Sequence, residues 1–125
     1  MRYLLDTHIL LWAAIDRLPK KAIPYFSEEN ELYFSPASIW EVVIKSALKR
    51  DDFRIDVNEF YYALLSAGYK ELPVTSKHTL AIASLPDIHK DPFDRLLLSQ
   101  AITEKMDLIT ADVKLSKYPK RILLL

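Results

Sequence analysis

Arg2-Tyr3-Leu4-Leu5-Asp6-Thr7-His8-Ile9-Leu10-Leu11-Trp12 is the stretch whose reading decides the fold. Tyr3, Leu4 and Leu5 form an unbroken apolar run closed by an acid, as expected of a short strand covered on both faces. Thr7 can cap a helix carrying Ile9, Leu10, Leu11, Trp12 and Ile15. A strand that passes directly into a helix is half of a βα unit. In open parallel sheets ligands sit beyond the carboxyl ends of the strands, where Asp6 falls.

The same alternation continues outward. A helix is expected over 19–29 with Pro19 at its start, and Leu32-Tyr33-Phe34 reads as a second strand. Ser35-Pro36 is an N-cap followed by proline at the first helical position, opening an apolar helix to about Lys49. Asp51, Asp52 and Arg54 make a polar connector, and Asp56-Val57-Asn58-Glu59 has capping-box spacing ahead of a helix that stops at Gly68. A weak strand is expected at Glu71-Leu72-Pro73-Val74, then a helix capped by Thr75 and ended by Pro86. Asp91-Pro92 repeats the cap-plus-proline start for a helix holding Leu96, Leu97, Leu98, Ala101 and Ile102. Asp107-Leu108-Ile109-Thr110 and Arg121-Ile122-Leu123-Leu124-Leu125 complete the strands. Apolar strands separated by helices predict an α/β fold of three layers around a mostly parallel sheet.

Composition bounds the possibilities. A chain of 125 residues, half of them apolar, is expected to be a single domain over 1–125 with a substantial core. Seventeen basic residues balance seventeen acidic ones, so any polyanion must be held by local patches rather than by an overall field. Such patches are available only at Lys45, Lys49 and Arg50 and at Lys114, Lys117, Lys120 and Arg121. The absence of cysteine removes disulfides, thiolate catalysis and cysteine-type zinc. One glycine, Gly68, leaves no glycine-rich phosphate cradle. Asp6 interrupts the N-terminal apolar run too early for a signal peptide, and no stretch reaches the roughly 20 apolar residues of a membrane span, so a cytoplasmic location is expected.

Four acids stand at or near element ends: Asp6, Glu41, Asp94 and Asp112. Each has an ordinary explanation. Asp6 and Asp112 suit turns or caps, Asp94 in a first helical turn complements the helix dipole, and Glu41 with Lys45 is an i,i+4 pair. Yet Glu41 is set among Trp40, Val42, Val43 and Ile44, and burying an unpaired acid is costly. Acids gathered in one place usually share a cation. Asp6 and Asp112 follow two strands and Glu41 lies early in a helix, so these three converge on one sheet edge, while Asp94 is the hardest to aim there. His8, His78 and His89 lack zinc-ligand spacing. His78 fits local packing or hydrogen bonding, and His89 either orients a carboxylate, meets substrate or is solvated. Trp12, Trp40, Tyr61 and Tyr62 read as core or interface residues.

Four blocks together carry a resemblance. Met1-Arg2-Tyr3-Leu4-Leu5-Asp6-Thr7-His8, Ser38-Ile39-Trp40-Glu41-Val42-Val43-Ile44-Lys45, His89-Lys90-Asp91-Pro92-Phe93-Asp94-Arg95-Leu96-Leu97 and Leu108-Ile109-Thr110-Ala111-Asp112 resemble, in order and spacing, the signature blocks of PIN-domain ribonucleases of the VapC toxin type. The resemblance implies that Asp6, Glu41, Asp94 and Asp112 hold Mg²⁺ or Mn²⁺, with Asp6 and Asp94 as direct ligands. Thr7, Ser38 and Thr110 would hydrogen-bond ligands or metal-bound water, Asp91 would cap its helix, and Arg95 would pair with an acid or a substrate phosphate. It further implies endonucleolytic hydrolysis of structured RNA, a homodimer, and neutralisation by a cognate antitoxin through which alone DNA is bound. One departure stands at Glu104-Lys105-Met106-Asp107, where relatives often place a glycine. A receiver-type phosphoacceptor needs an early acidic pair and a mid-chain aspartate closing a strand, and Asp51-Asp52 falls instead in a connector. A catalytically silent module of the same fold is the other alternative.

Overall fold

The computed structural model describes residues 1–48, 55–119 and 121–125; the connector residues Asp51, Asp52 and Arg54 and the basic residues Lys49, Arg50 and Lys120 lie outside them. Among the described residues five strands, β1 (Arg2–Leu5), β2 (Glu31–Phe34), β3 (Lys70–Glu71), β4 (Asp107–Thr110) and β5 (Ile122–Leu124), form one sheet in the order β3-β2-β1-β4-β5. All four pairings are parallel, with Leu4 opposite both Tyr33 and Leu108. The chain steps outward from β1 to β3, then returns to the other side of β1 for β4 and β5. The strand order therefore reverses between β1 and β4, the switch point at which open α/β sheets place their ligands.

Side chains alternate across the sheet into two cores. Tyr3, Leu5 and Ile109 pack with Ile9 and Leu10 of α1 (Thr7–Ala14) and with Phe60 and Leu64 of α3 (Val57–Ser66). Leu4 and Leu108 face the opposite way, against Leu97, Leu98 and Ala101 of α5 (Pro92–Glu104). Helix α2 (Pro36–Ala47) contributes to both, Val42 to the first core and Ala37 to the second. The result is the expected three-layer α/β arrangement. Among the described residues no helix is long and apolar enough to cross a membrane.

Local chemistry explains where elements depart from expectation. The helix expected over 19–29 is a 3₁₀ helix, Lys20–Phe26, with Pro24 inside it; proline removes an amide donor and clashes with the preceding turn, so an α-helix does not propagate. The strand expected at Glu71 to Val74 is only Lys70–Glu71, because Pro73 has no amide to extend the ladder. Asp6, not Thr7, caps α1. Without a glycine after α5, Lys105 itself adopts the left-handed conformation (φ 57°, ψ 46°), so the turn into β4 is kept at a cost in strain. Gly68 stands at φ 90°, as its place after α3 requires. α4 (Ser76–Ala81) begins at Thr75, whose amide donates to Nδ1 of His78 (3.0 Å); the His78 Nε2 meets Glu104 (2.8 Å), the local bonding expected of it.

Candidate active site

Asp6 follows β1 immediately, so the strand end and the helix start fix its carboxylate together. Its Oδ1 accepts from the Thr7 amide and its Oδ2 from the Thr110 hydroxyl, both at 2.7 Å. Thr110 ends β4, and the Asp6 amide donates to the Ile109 carbonyl (3.0 Å), stitching the two strand ends across the switch point. Asp6 is only 3% exposed. Burial holds its carboxyl above the ordinary range, the hydrogen bonds from Thr110 and Thr7 oppose this, and the charge of Glu41 adds to it.

Glu41 is brought to the same place by α2, which Ser35 caps by accepting from the Ala37 amide. Glu41 Oε1 accepts from the Thr7 hydroxyl (2.7 Å), and its Oε2 pairs with Lys45 at 3.0 Å. The Ser38 hydroxyl lies 2.9 Å from Thr7 Oγ1. Thr7, Ser38 and Thr110 thus form a hydroxyl lattice beneath Asp6 and Glu41.

Asp94 lies in the first turn of α5, whose N-cap Asp91 accepts from the Phe93 (2.8 Å) and Asp94 (3.2 Å) amides. Its carboxyl is pushed up to about 7, by burial first, then by the charges of Asp6 and Asp91, against the stabilising contact of His89. The acid whose placement was least legible is therefore close enough to Asp6 to feel its charge. His89 joins it to Asp112: Nε2 lies 2.8 Å from Asp94 Oδ2 and 3.3 Å from Asp112 Oδ2. Asp112 is shaped by its own loop, its amide donating to Thr110 Oγ1 (3.0 Å) and its Oδ1 accepting from the Lys114 amide (2.9 Å). Asp6 and Asp112 also line a cleft of about 230 Å³ with His8, Trp12 and Ala111.

The structure thus brings all four acids to one sheet edge, together with a histidine outside the four-acid set. The sequence signal for His89 was its loop position five residues before Asp94, which a helix start folds back over the first turn. Of the two partners expected for Arg95, an acid or a substrate phosphate, the described residues supply no acid. Among the described residues it forms no ion pair; its guanidinium donates to the carbonyls of Ile82, Pro86 and His89 and to the Tyr118 hydroxyl at 3.1–3.4 Å. These bonds brace the loop before α5.

The donor chemistry fits a hard divalent cation. Among the described residues Asp6 has no ion-pair partner, Glu41 has Lys45, and Asp94 and Asp112 share one imidazole. One atom each of His89, Asp94 and Asp112 all lie within 4.8 Å of one another, close enough for a single ion. Asp6 and Asp94 are the two acids held above the ordinary range, which a cation would reverse.

Comparison with known proteins is consistent across fold and family. The PIN-domain family model matches residues 3–121. No curated protein sequence matches the chain. Among solved structures, VapBC2 from Rickettsia felis bound to a promoter DNA fragment is similar, at 21% identity and a TM-score of 0.73 over 100% of this chain and 98% of that one. VapBC-1 from nontypeable Haemophilus influenzae matches at 21% identity and a TM-score of 0.63, covering 94% of this chain and 91% of that one. A toxin-antitoxin complex from Klebsiella pneumoniae matches at 16% identity and a TM-score of 0.64, covering 97% and 95%.

Proposed function

The chain belongs to the PIN-domain family, and from that membership we propose that it is a VapC-type toxin, a single-domain, Mg²⁺- or Mn²⁺-dependent endoribonuclease acting on structured RNA in the cytoplasm. The observation that carries the reading is the convergence of Asp6, Glu41, Asp94 and Asp112 at the β1/β4 switch point, two of them buried enough to resist ionisation.

A divalent ion held by Asp6 and Asp94, with Glu41 and Asp112 beside them, would polarise a phosphodiester and make a water acidic enough to attack phosphorus. The protein's part is positioning. The Thr110 hydroxyl and Thr7 amide fix both oxygens of Asp6, so that carboxylate needs no reorientation. The Thr7 hydroxyl does the same for Glu41, and the Asp91 cap orders the first turn that presents Asp94. Attack at phosphorus with departure of the 3′-oxygen leaves a 3′-hydroxyl and a 5′-phosphate. Lys45, paired with Glu41 at the rim, offers a cation to the substrate backbone.

Partners follow from the same reading. Similar solved structures are toxin-antitoxin complexes, one of them on promoter DNA. We infer a cognate antitoxin for this chain, with DNA bound only through it, and a homodimer. Trp40, Val43, Ile44 and Leu48 leave an exposed apolar face along α2 for such contacts, Trp40 being 61% exposed and edge-on to Phe93.

The test is incubation of the purified chain with radiolabelled total RNA in Mg²⁺ or Mn²⁺, against a chelator and against Asp94→Asn. Cleavage should require both the metal and Asp94. Equal cleavage by the variant would assign the activity to a contaminant, and no cleavage by either would favour a silent binding module.

A further inference from the structure

We propose that His89 is a nitrogen ligand of the divalent cation, completing with Asp94 and Asp112 a three-donor face that favours Mn²⁺ over Mg²⁺. The inference rests on the metal-nuclease reading above and assigns that site a donor outside the acidic quartet.

Geometry carries it. His89 Nε2 stands 2.8 Å from Asp94 Oδ2 and 3.3 Å from Asp112 Oδ2. Two ligands at right angles around an ion, each about 2.1 Å from it, are about 3.0 Å apart, which lies between these spacings. Both spacings from the ring nitrogen thus match edges of an octahedral face, and the three atoms all lie within 4.8 Å of one another. In the structure Nε2 is hydrogen-bonded to Asp94 Oδ2 and lies beside Asp112 Oδ2; with an ion the ring would serve as its neutral Nδ1–H form, the cation taking the place of that bond.

The loop is also built to present this ring. The His89 amide donates to the Tyr118 hydroxyl (3.0 Å), and its carbonyl accepts from Arg95 (3.3 Å). Arg95 simultaneously holds the Pro86 carbonyl (3.1 Å), and Tyr118 is buried to 4% exposure. A solvated loop histidine has no use for such bracing, whereas a ligand depends on it. Oxygen-only sets suit Mg²⁺, and an imidazole donor shifts preference towards transition-metal ions, of which Mn²⁺ best tolerates a mostly carboxylate site.

A histidine that merely orients the carboxylates would give the same resting contacts, so the test must see the metal–nitrogen bond. Pulsed EPR of the full chain loaded with Mn²⁺ reads directly bonded nitrogen, and labelling histidine with heavy nitrogen must alter that signal without any substitution. His89→Gln, which keeps an N–H donor near Nε2, should abolish it, while His8→Ala should leave it. By calorimetry, His89→Gln should weaken Mn²⁺ by roughly 10–100-fold and leave Mg²⁺ nearly unchanged. Mn²⁺ binding without a nitrogen signal, or equal weakening of both ions, overturns this inference and leaves the nuclease reading standing. A wild-type chain that binds neither ion overturns both.

Discussion

Asp94→Asn should inactivate the protein and, without metal, make it more stable. The Asp94 carboxyl is raised from 3.8 to about 7, chiefly by burial and then by Asp6 and Asp91. At 1.36 kcal/mol per pKa unit this corresponds to about 4 kcal/mol, and water at the partly exposed carboxylate reduces it to about 2 kcal/mol. The opposing benefit of an acid in the first turn of a helix is about 0.3–1 kcal/mol, so desolvation and repulsion win. The sign follows from proton binding. Between pH 4 and 7 the folded chain retains a proton that the unfolded chain has lost, so stability falls as pH rises through this window and is lowest above the folded value. Asparagine carries no such penalty and still accepts from His89. In urea denaturation of chelator-treated protein, the variant should match the wild type near pH 4 and exceed it by about 2 kcal/mol at pH 8, or roughly 6–10 °C in a thermal melt. A variant equal to or weaker than the wild type at pH 8, or an advantage that does not change with pH, would refute the assignment of Asp94 as a strained acid.

Adding Mg²⁺ or Mn²⁺ at a hundred times its dissociation constant should stabilise the wild type by about 2.7 kcal/mol and leave Asp94→Asn unmoved, read as a thermal shift. Thr110→Val removes the hydroxyl that serves the buried Asp6 at 2.7 Å; it should cost about 1.5–3 kcal/mol in urea denaturation where Asp6 is ionised and less as falling pH protonates it. Lys105→Gly relieves a lysine held at φ 57°; it should raise stability by about 1 kcal/mol, seen as a higher urea midpoint at an unchanged slope, and a loss of stability would show that the Lys105 side chain contributes more than its strain costs.

The fold was legible because its strands are short apolar runs and its helices announce their starts. Ser35-Pro36 and Asp91-Pro92 behaved as read, each cap accepting from the amide two residues on. Asp6 and Asp112 were placed by the rule that ligands gather past parallel strand ends. Two things were hidden. The length of the segment after Pro19 depended on Pro24 preventing an α-helix, a backbone effect that apolar periodicity does not register. The roles of His89 and Arg95 depended on how a loop packs: a long arginine side chain can reach an acid or a carbonyl, and its partners here include Tyr118, 23 positions away, and Ile82, 13 positions away.

The two halves of the site are held by different chemistry, and that has a consequence for how it takes an ion. Asp6 is fixed by a hydroxyl and an amide, neutral donors that can keep their bonds when a cation arrives, and Glu41 by the Thr7 hydroxyl and the Lys45 ammonium. Asp94 and Asp112 are held by an imidazole whose Nε2 occupies the space between them. An incoming ion therefore joins the first half but must displace a hydrogen bond, or gain a ligand, in the second. Among the described residues Asp6 has no ionic partner to lose, but its carboxyl, held above the ordinary range by burial, would have to give up its proton as an ion binds. The second half, where carboxylates already have a donor, sets the threshold the ion must exceed. On the proposed reading, the buried acid beside β1 would make metal affinity fall as pH drops, and the loop that carries His89 would discriminate among ions.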